Sequence, residues 1–220
     1  MELSGSGLEC IRGGKEVFAN VHFRVRSAEA MLVLGPNGAG KSSLLRIVAG
    51  LLRPAAGRFE LAGGDPERTL AEQAHYLGHQ DPLKGSLSAR ENLGFWTQFL
   101  GGGLGKPLGE ALEAVGLDGL GDLPAGYLSA GQQRRLSIGR LLAVERPVWL
   151  LDEPASTLDA SGQALLAGLM RNHLDNGGLI LAATHAPLGL DGARELRLGT
   201  PLPIPPPQGG RGQLAARARP

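Results

Sequence analysis

The stretch Gly35-Pro36-Asn37-Gly38-Ala39-Gly40-Lys41-Ser42-Ser43 constrains this chain more than any other. It fills every fixed position of G-x-x-x-x-G-K-[ST]. It follows the apolar run Met31–Leu34 and opens the helical pattern Ser42–Ala49. A buried strand, a glycine-rich loop and a helix in that order make a cradle for phosphate. Glycines let the main chain wrap tightly and aim its N–H groups inward. The helix adds the positive end of its dipole. Lys41 is placed to reach β- and γ-phosphates, and the Ser42 hydroxyl to ligate Mg²⁺, a cation that takes oxygen ligands.

Two further runs resemble Met31–Leu34: Val148–Leu151 and Leu179–Ala183. Short, wholly apolar runs of this kind read as strands covered on both faces. With the helical patterns Ser42–Ala49 and Gly162–Leu174 between them, they predict an α/β fold around a parallel sheet. Residues 1–30 alternate instead. Val17, Phe18, Val21, Phe23 and Val25 stand among polar neighbours, with Gly13-Gly14 as the turn, which predicts antiparallel strands. Residues 84–145 break into the helical segments Ala89–Phe99, Leu108–Val115 and Gln132–Val144, a helical insertion in the α/β core. From Pro201 onward the chain holds six of its 15 prolines and three arginines with no acid, so a disordered tail is expected over 201–220.

Composition excludes several classes. A net charge of +1 lacks the basic excess of a general nucleic-acid binder. Cys10 is the single cysteine, so no internal disulfide forms. No apolar run approaches the length of a membrane helix, and the first residues lack a signal-peptide pattern. A soluble intracellular protein is the expectation.

Asp152 and Glu153 close the run Val148–Leu151. Neighbouring strand residues point to opposite faces, which predicts different roles for the two acids. Asp152 is the candidate for holding Mg²⁺ through its water shell, and Glu153 for activating or positioning the water that attacks the γ-phosphate. A second helix start lies at Ser129-Ala130-Gly131-Gln132, where Ser129 is a good N-cap and Gln132 completes a capping-box pattern. Gly131 allows close backbone approach. The chain thus carries two anion-binding helix ends, although one suffices to cradle a nucleotide.

Leu128-Ser129-Ala130-Gly131-Gln132 resembles the signature of the ATP-binding subunits of ABC transporters, LSGGQ, with Ala130 for the first glycine. Other family motifs follow in order over about residues 1–200. Gln80 is similar to the Q-loop glutamine, Ser156–Asp159 to the D-loop, and His185 to the switch histidine. The resemblance implies a P-loop NTPase (RecA-like) core with an N-terminal antiparallel β subdomain and an inserted α-helical subdomain. It implies ATP and Mg²⁺ as ligands, with Ser42, Gln80 and Asp152 on the metal side. It also implies a head-to-tail homodimer in which Ser129, Gly131 and Gln132 meet the γ-phosphate held by the partner copy. Asp159 would couple the two sites, and Gln80 and His185 would sense metal, water and γ-phosphate. Arg12, before Gly13-Gly14, stands where the family often stacks an aromatic residue on adenine, a role a guanidinium can fill. Phe18 is a second candidate, with burial in the core as its competing reading.

Residues 76–84 and 87–93, the LSAGQQRR stretch and Thr184–Leu188 are similar to the haem-exporter branch of that family, which serves bacterial c-type cytochrome maturation. The likeness implies a membrane subunit, CcmB, a haem-handling protein, CcmC, and a peripheral place on the cytoplasmic side of the inner membrane. No direct haem binding and no nucleic-acid partner are expected. An ABC transporter for another substrate and a non-transport ABC ATPase stand as alternatives. Leu83, Leu87, Phe95 and Trp96 are candidates for an apolar docking surface, or for packing within the helical insertion. His79 reads as an exposed loop residue.

Overall fold

The computed structural model describes residues 1–102 and 105–199; the tail expected over 201–220 lies outside the described residues. Strands β1 (Glu2–Arg12) and β2 (Lys15–Arg26) are joined by Gly13-Gly14, both at positive φ (56° and 74°). That is the backbone a two-residue hairpin needs to match strand twist. With β4 (Ala56–Ala62) they form an antiparallel sheet in the order β2-β1-β4. The alternation of residues 1–30 therefore belongs to two long strands rather than several short ones. Leu3, Leu8, Phe18, Phe23 and Val25 are buried from this sheet.

The second sheet is parallel, in the order β5-β6-β7-β3-β8. Its strands are β3 (Ala30–Leu34), β5 (Ala74–Leu77), β6 (Val148–Asp152), β7 (Leu179–Ala183) and β8 (Arg194–Arg197). Strands β6 and β7 are buried at every residue. Both faces are covered, which is why these segments carry unbroken apolar runs. Val148 and Leu150 join a core with β1, β2 and helix α1 (Lys41–Val48). Trp149 and Leu151 face a second core built with the helices of the insertion.

The insertion holds α3 (Ala89–Phe99), α4 (Leu108–Ala114) and α5 (Ala130–Ala143), with a single 3₁₀ turn at Ala125–Tyr127. A short α2 (Leu70–Gln73) precedes β5, and α6 (Ala160–Asp175) joins β6 to β7. Capping boxes start α2 at Thr69, α3 at Ser88 and α5 at Ser129. Because the strands are parallel, the residues following β3, β5, β6 and β7 all emerge at one edge of the sheet. Such an edge is where open α/β sheets bind ligands.

Candidate nucleotide site

At that edge lies a cleft of about 570 Å³ lined by Asn37, Gly38, Gly40, Lys41, Ser42, Ser43, Asp152, Glu153 and His185, with Val17, His79 and Ser156. The loop after β3 supplies its floor. Gly40 caps α1 at φ 96°, and a Cβ there would lie 2.6 Å from Val17 Cγ1 and 2.7 Å from Phe18 Cδ1. Only glycine fits this close approach to the hairpin. Phe18 is buried, so the core reading of that residue holds.

Lys41 is buried to 7% exposure, and its ammonium donates to the carbonyls of Gly35 (2.8 Å) and Pro36 (3.3 Å). It also lies 3.1 Å from His185 Nε2. A lysine held by its own loop is a cation with a fixed place in the lining of the cleft. Ser42 Oγ donates to Asp152 Oδ1 at 2.9 Å, and the Tyr76 hydroxyl donates to Asp152 Oδ2 at 3.3 Å. Arg46 Nε in turn donates to the Tyr76 oxygen at 3.2 Å. Burial pushes the Tyr76 phenol above its ordinary pKa, so it stays a donor. The sequence gives Tyr76 no role beyond opening the 76–84 stretch; it stands one residue before the end of β5, a strand with no long apolar run to mark it.

The two acids do not face opposite ways. Asp152 is the last residue of β6, while Glu153 turns into the left-handed region (φ 48°) and donates its N–H to Ala183 O at 2.9 Å. Strand alternation ends with the strand, and both carboxylates line the cleft. Glu153 Oε1 is buried without a hydrogen bond, with His185 Nε2 at 3.3 Å. A buried oxygen left without a donor in a polar cleft is suited to accept from water or a ligand. His185 is presented by a turn that Thr184 knots: its Oγ1 donates to Ala186 O (2.8 Å) and accepts from Ala186 N (3.0 Å).

Other candidates lie apart from the cleft. Gln80 is exposed and lines a neighbouring groove; His79 is an exposed loop residue, as expected, and lines both that groove and the cleft. Arg12 is exposed at the end of β1 and does not line the cleft; Val17, across the hairpin, does. Ser129 is exposed at the start of α5, where its Oγ accepts from Gln132 N and its own N–H donates to Gln132 Oε1. Gly131 lies beside the Asp159 loop: a Cβ on it would be 3.3 Å from Thr157 O. Asp159 caps α6, accepting from Gly162 N (2.8 Å) and Ser161 Oγ (2.9 Å); these bonds, led by Gly162, hold its pKa below the ordinary value.

A family model described as ABC transporter matches residues 18–156. The chain belongs to the ABC transporter family. It is an ATP-binding, ATP-hydrolysing member. It is 62% identical over 199 residues to the cytochrome c biogenesis ATP-binding export protein CcmA of Nitrobacter winogradskyi, covering 90% of this chain and 98% of that one. The protein of the same name from Bradyrhizobium diazoefficiens is 59% identical over the same shares. Among solved structures, an ABC transporter ATP-binding subunit superposes with a TM-score of 0.79 at 23% identity, covering 91% of this chain and 88% of that one. An ABC-transporter-type ATP-binding protein from Pyrococcus furiosus gives 0.76 at 20%, covering 90% and 98%. These structures share the fold.

Proposed function

We propose that the chain is the ATPase of a membrane-bound complex in c-type cytochrome maturation, and that two copies close head to tail over two ATP molecules. One observation carries the reading. The phosphate cleft and the start of α5 are both fit for anions, yet no residue of Ser129–Gln132 lines the cleft. Each copy holds half a site. In the closed pair Ser129, Gly131 and Gln132 meet the γ-phosphate held by the loop Gly35–Ser43 of the other copy, and Asp159 lies at the seam. The unit is one nucleotide-binding domain over residues 1–200, with its helical part at about 84–145.

Within each half, Lys41 and the loop N–H groups neutralise the phosphates. Ser42 and Asp152, already joined by a hydrogen bond, would hold Mg²⁺, which screens charge on the transferring phosphoryl group. Gln80 is the third residue on the metal side. Glu153, with its unbonded Oε1, takes the proton of the attacking water or orients it. His185 contacts the γ-phosphate, and Gln80 senses Mg²⁺ and the attacking water.

No helix among the described residues is long and apolar enough to cross a membrane. Attachment to the inner membrane would run through CcmB, with CcmC as the haem-handling partner. The docking place is the groove of about 630 Å³ beside Gln80, lined by Trp96 and Phe99. Phe99 is 69% exposed and stacks on Phe95, which is itself 55% exposed. Trp96 donates to Pro82 O at 3.1 Å and lies under the Arg140 guanidinium. Leu83 packs into the helical core instead.

Glu153→Gln tests the dimer. Binding survives while water activation fails, so ATP should trap a dimer by light scattering. A Glu153→Gln chain that stays monomeric at saturating ATP, with its membrane partners present, overturns the reading. Deletion of the gene should abolish covalent haem in c-type cytochromes; unchanged cytochromes would remove the branch and leave the ATPase.

A further inference from the structure

We infer that Arg134 is a positioning residue for ATP hydrolysis. Its guanidinium fixes the main chain under Glu153 and ties it to the loop that carries Gln80. Arg134 lies on α5, two residues past Gln132, and is 1% exposed. A guanidinium offers five N–H donors in a fixed fork. All five are used here. Nε donates to Pro154 O at 3.0 Å. Nη1 donates to Gly78 O and to Asp81 Oδ1, each at 2.8 Å. Nη2 donates to Asp152 O at 3.2 Å and Glu153 O at 2.9 Å.

Four of the five acceptors are main-chain carbonyls on two separate segments. Three belong to consecutive residues across the turn at Glu153. That turn places a residue with a Cβ at φ 48°. Such a conformation costs energy and persists where surrounding contacts over-determine it. Arg134 supplies those contacts from below while Ala183 O holds the Glu153 N–H from the side. The other acceptors, Gly78 and Asp81, flank His79 and Gln80. One buried cation thus joins the helix opened by Ser129, the segment bearing Gln80 and the backbone bearing both carboxylates. Its charge is balanced by Asp81, whose side chain is 16% exposed. Removing the fork loosens the aim of Glu153 without touching the phosphate loop.

This inference rests on Glu153 as the water-activating group. The test measures steady-state ATP hydrolysis of the full chain with its membrane partners, alongside ATP binding and thermal midpoint. Arg134→Lys keeps the charge and can keep the Asp81 pair, but it loses the fork. Asp81→Asn removes the counter-charge at a partly exposed position and is the variant that folds if the buried lysine does not. Both should lower kcat by at least about tenfold with KM and ATP affinity within about threefold, since misaiming costs turnover rather than binding. The double variant should lose little more than Arg134→Lys alone. A kcat within twofold of wild type in Asp81→Asn overturns the inference, as does ATP affinity falling in step with kcat. Glu153→Gln measured beside them separates the two readings: if it still hydrolyses ATP, the role given to Glu153 fails, whatever the Arg134 result.

Discussion

At the scale of single residues, the site is a set of side chains already committed to one another. Both oxygens of Asp152 are held, one by Ser42 and one by Tyr76. A carboxylate fixed in this way would take the proposed cation at a lower ordering cost. Tyr76→Phe removes one of these donors and leaves the ring. We expect a stability loss of about 1 kcal/mol. The Mg²⁺ concentration for half-maximal ATP hydrolysis should rise about fivefold, because each 1.4 kcal/mol is a factor of ten. An unchanged metal titration would mean that Tyr76 does no more than pack. Sequence reading found Asp152 and Ser42 because each sits in a local motif. It could not find Tyr76 or Arg134, whose partners lie 76 and up to 56 residues away along the chain.

At the scale of elements, the helix starts divide by charge. Helices α2, α3 and α4 carry Glu72, Glu91 and Glu110 in their first turns. Helices α1 and α5, the two assigned to phosphate, carry none; neither does α6, but its N-cap is itself the acid Asp159. The capping box of α5 is closed by neutral Gln132, where those of α2 and α3 use glutamate. A glutamate would serve the helix equally well, since it completes the same pattern. It would also put a negative charge where the proposed dimer docks a partner's γ-phosphate. Gln132→Glu should therefore keep thermal stability within about 0.5 kcal/mol. It should weaken ATP-driven dimerisation in the Glu153→Gln background by at least about tenfold. Dimerisation that survives the extra charge would place the γ-phosphate elsewhere. The capping pattern at Ser129 was readable from four residues; its exposure, away from the cleft, was not.

At the scale of the whole molecule, two cores sandwich the parallel sheet, and two histidines are trapped in its helical flank. His75 bonds to Val144 O at 2.7 Å, and His173 stacks on Trp149 with ring centroids 4.0 Å apart. Burial, the leading cause for both, pushes His75 from 6.5 to about 3 and His173 to about 4. Above pH 6.5 both are neutral in the folded and unfolded chain, and stability does not depend on them. Below it the unfolded chain takes up protons that the folded chain refuses. Stability should fall from about pH 6.5 down towards pH 4 and level off once the folded-state values are passed. The loss at pH 5 is at most about 2 kcal/mol for each histidine. Urea unfolding at pH 7.5 and pH 5 measures it. His75→Gln, which retains a donor for Val144 O, should remove about half of the histidine part of the slope; an unaltered slope would put the acid sensitivity in other groups.

The chain by itself determined the phosphate loop, the double-faced strands and the capped helix start at Ser129, because each is written in adjacent residues and enforced by local backbone geometry. The exposed strand β4 and the short edge strands β5 and β8 escaped it, having no long apolar run to mark them. Tertiary structure alone decided that β7 lies between the phosphate-loop strand and the carboxylate strand. It alone decided that Glu153 leaves its strand to share the cleft with Asp152, and that Arg134 ties two distant segments to its own helix. Those arrangements depend on burial and parallel pairing between residues far apart in the chain, where no local pattern is required.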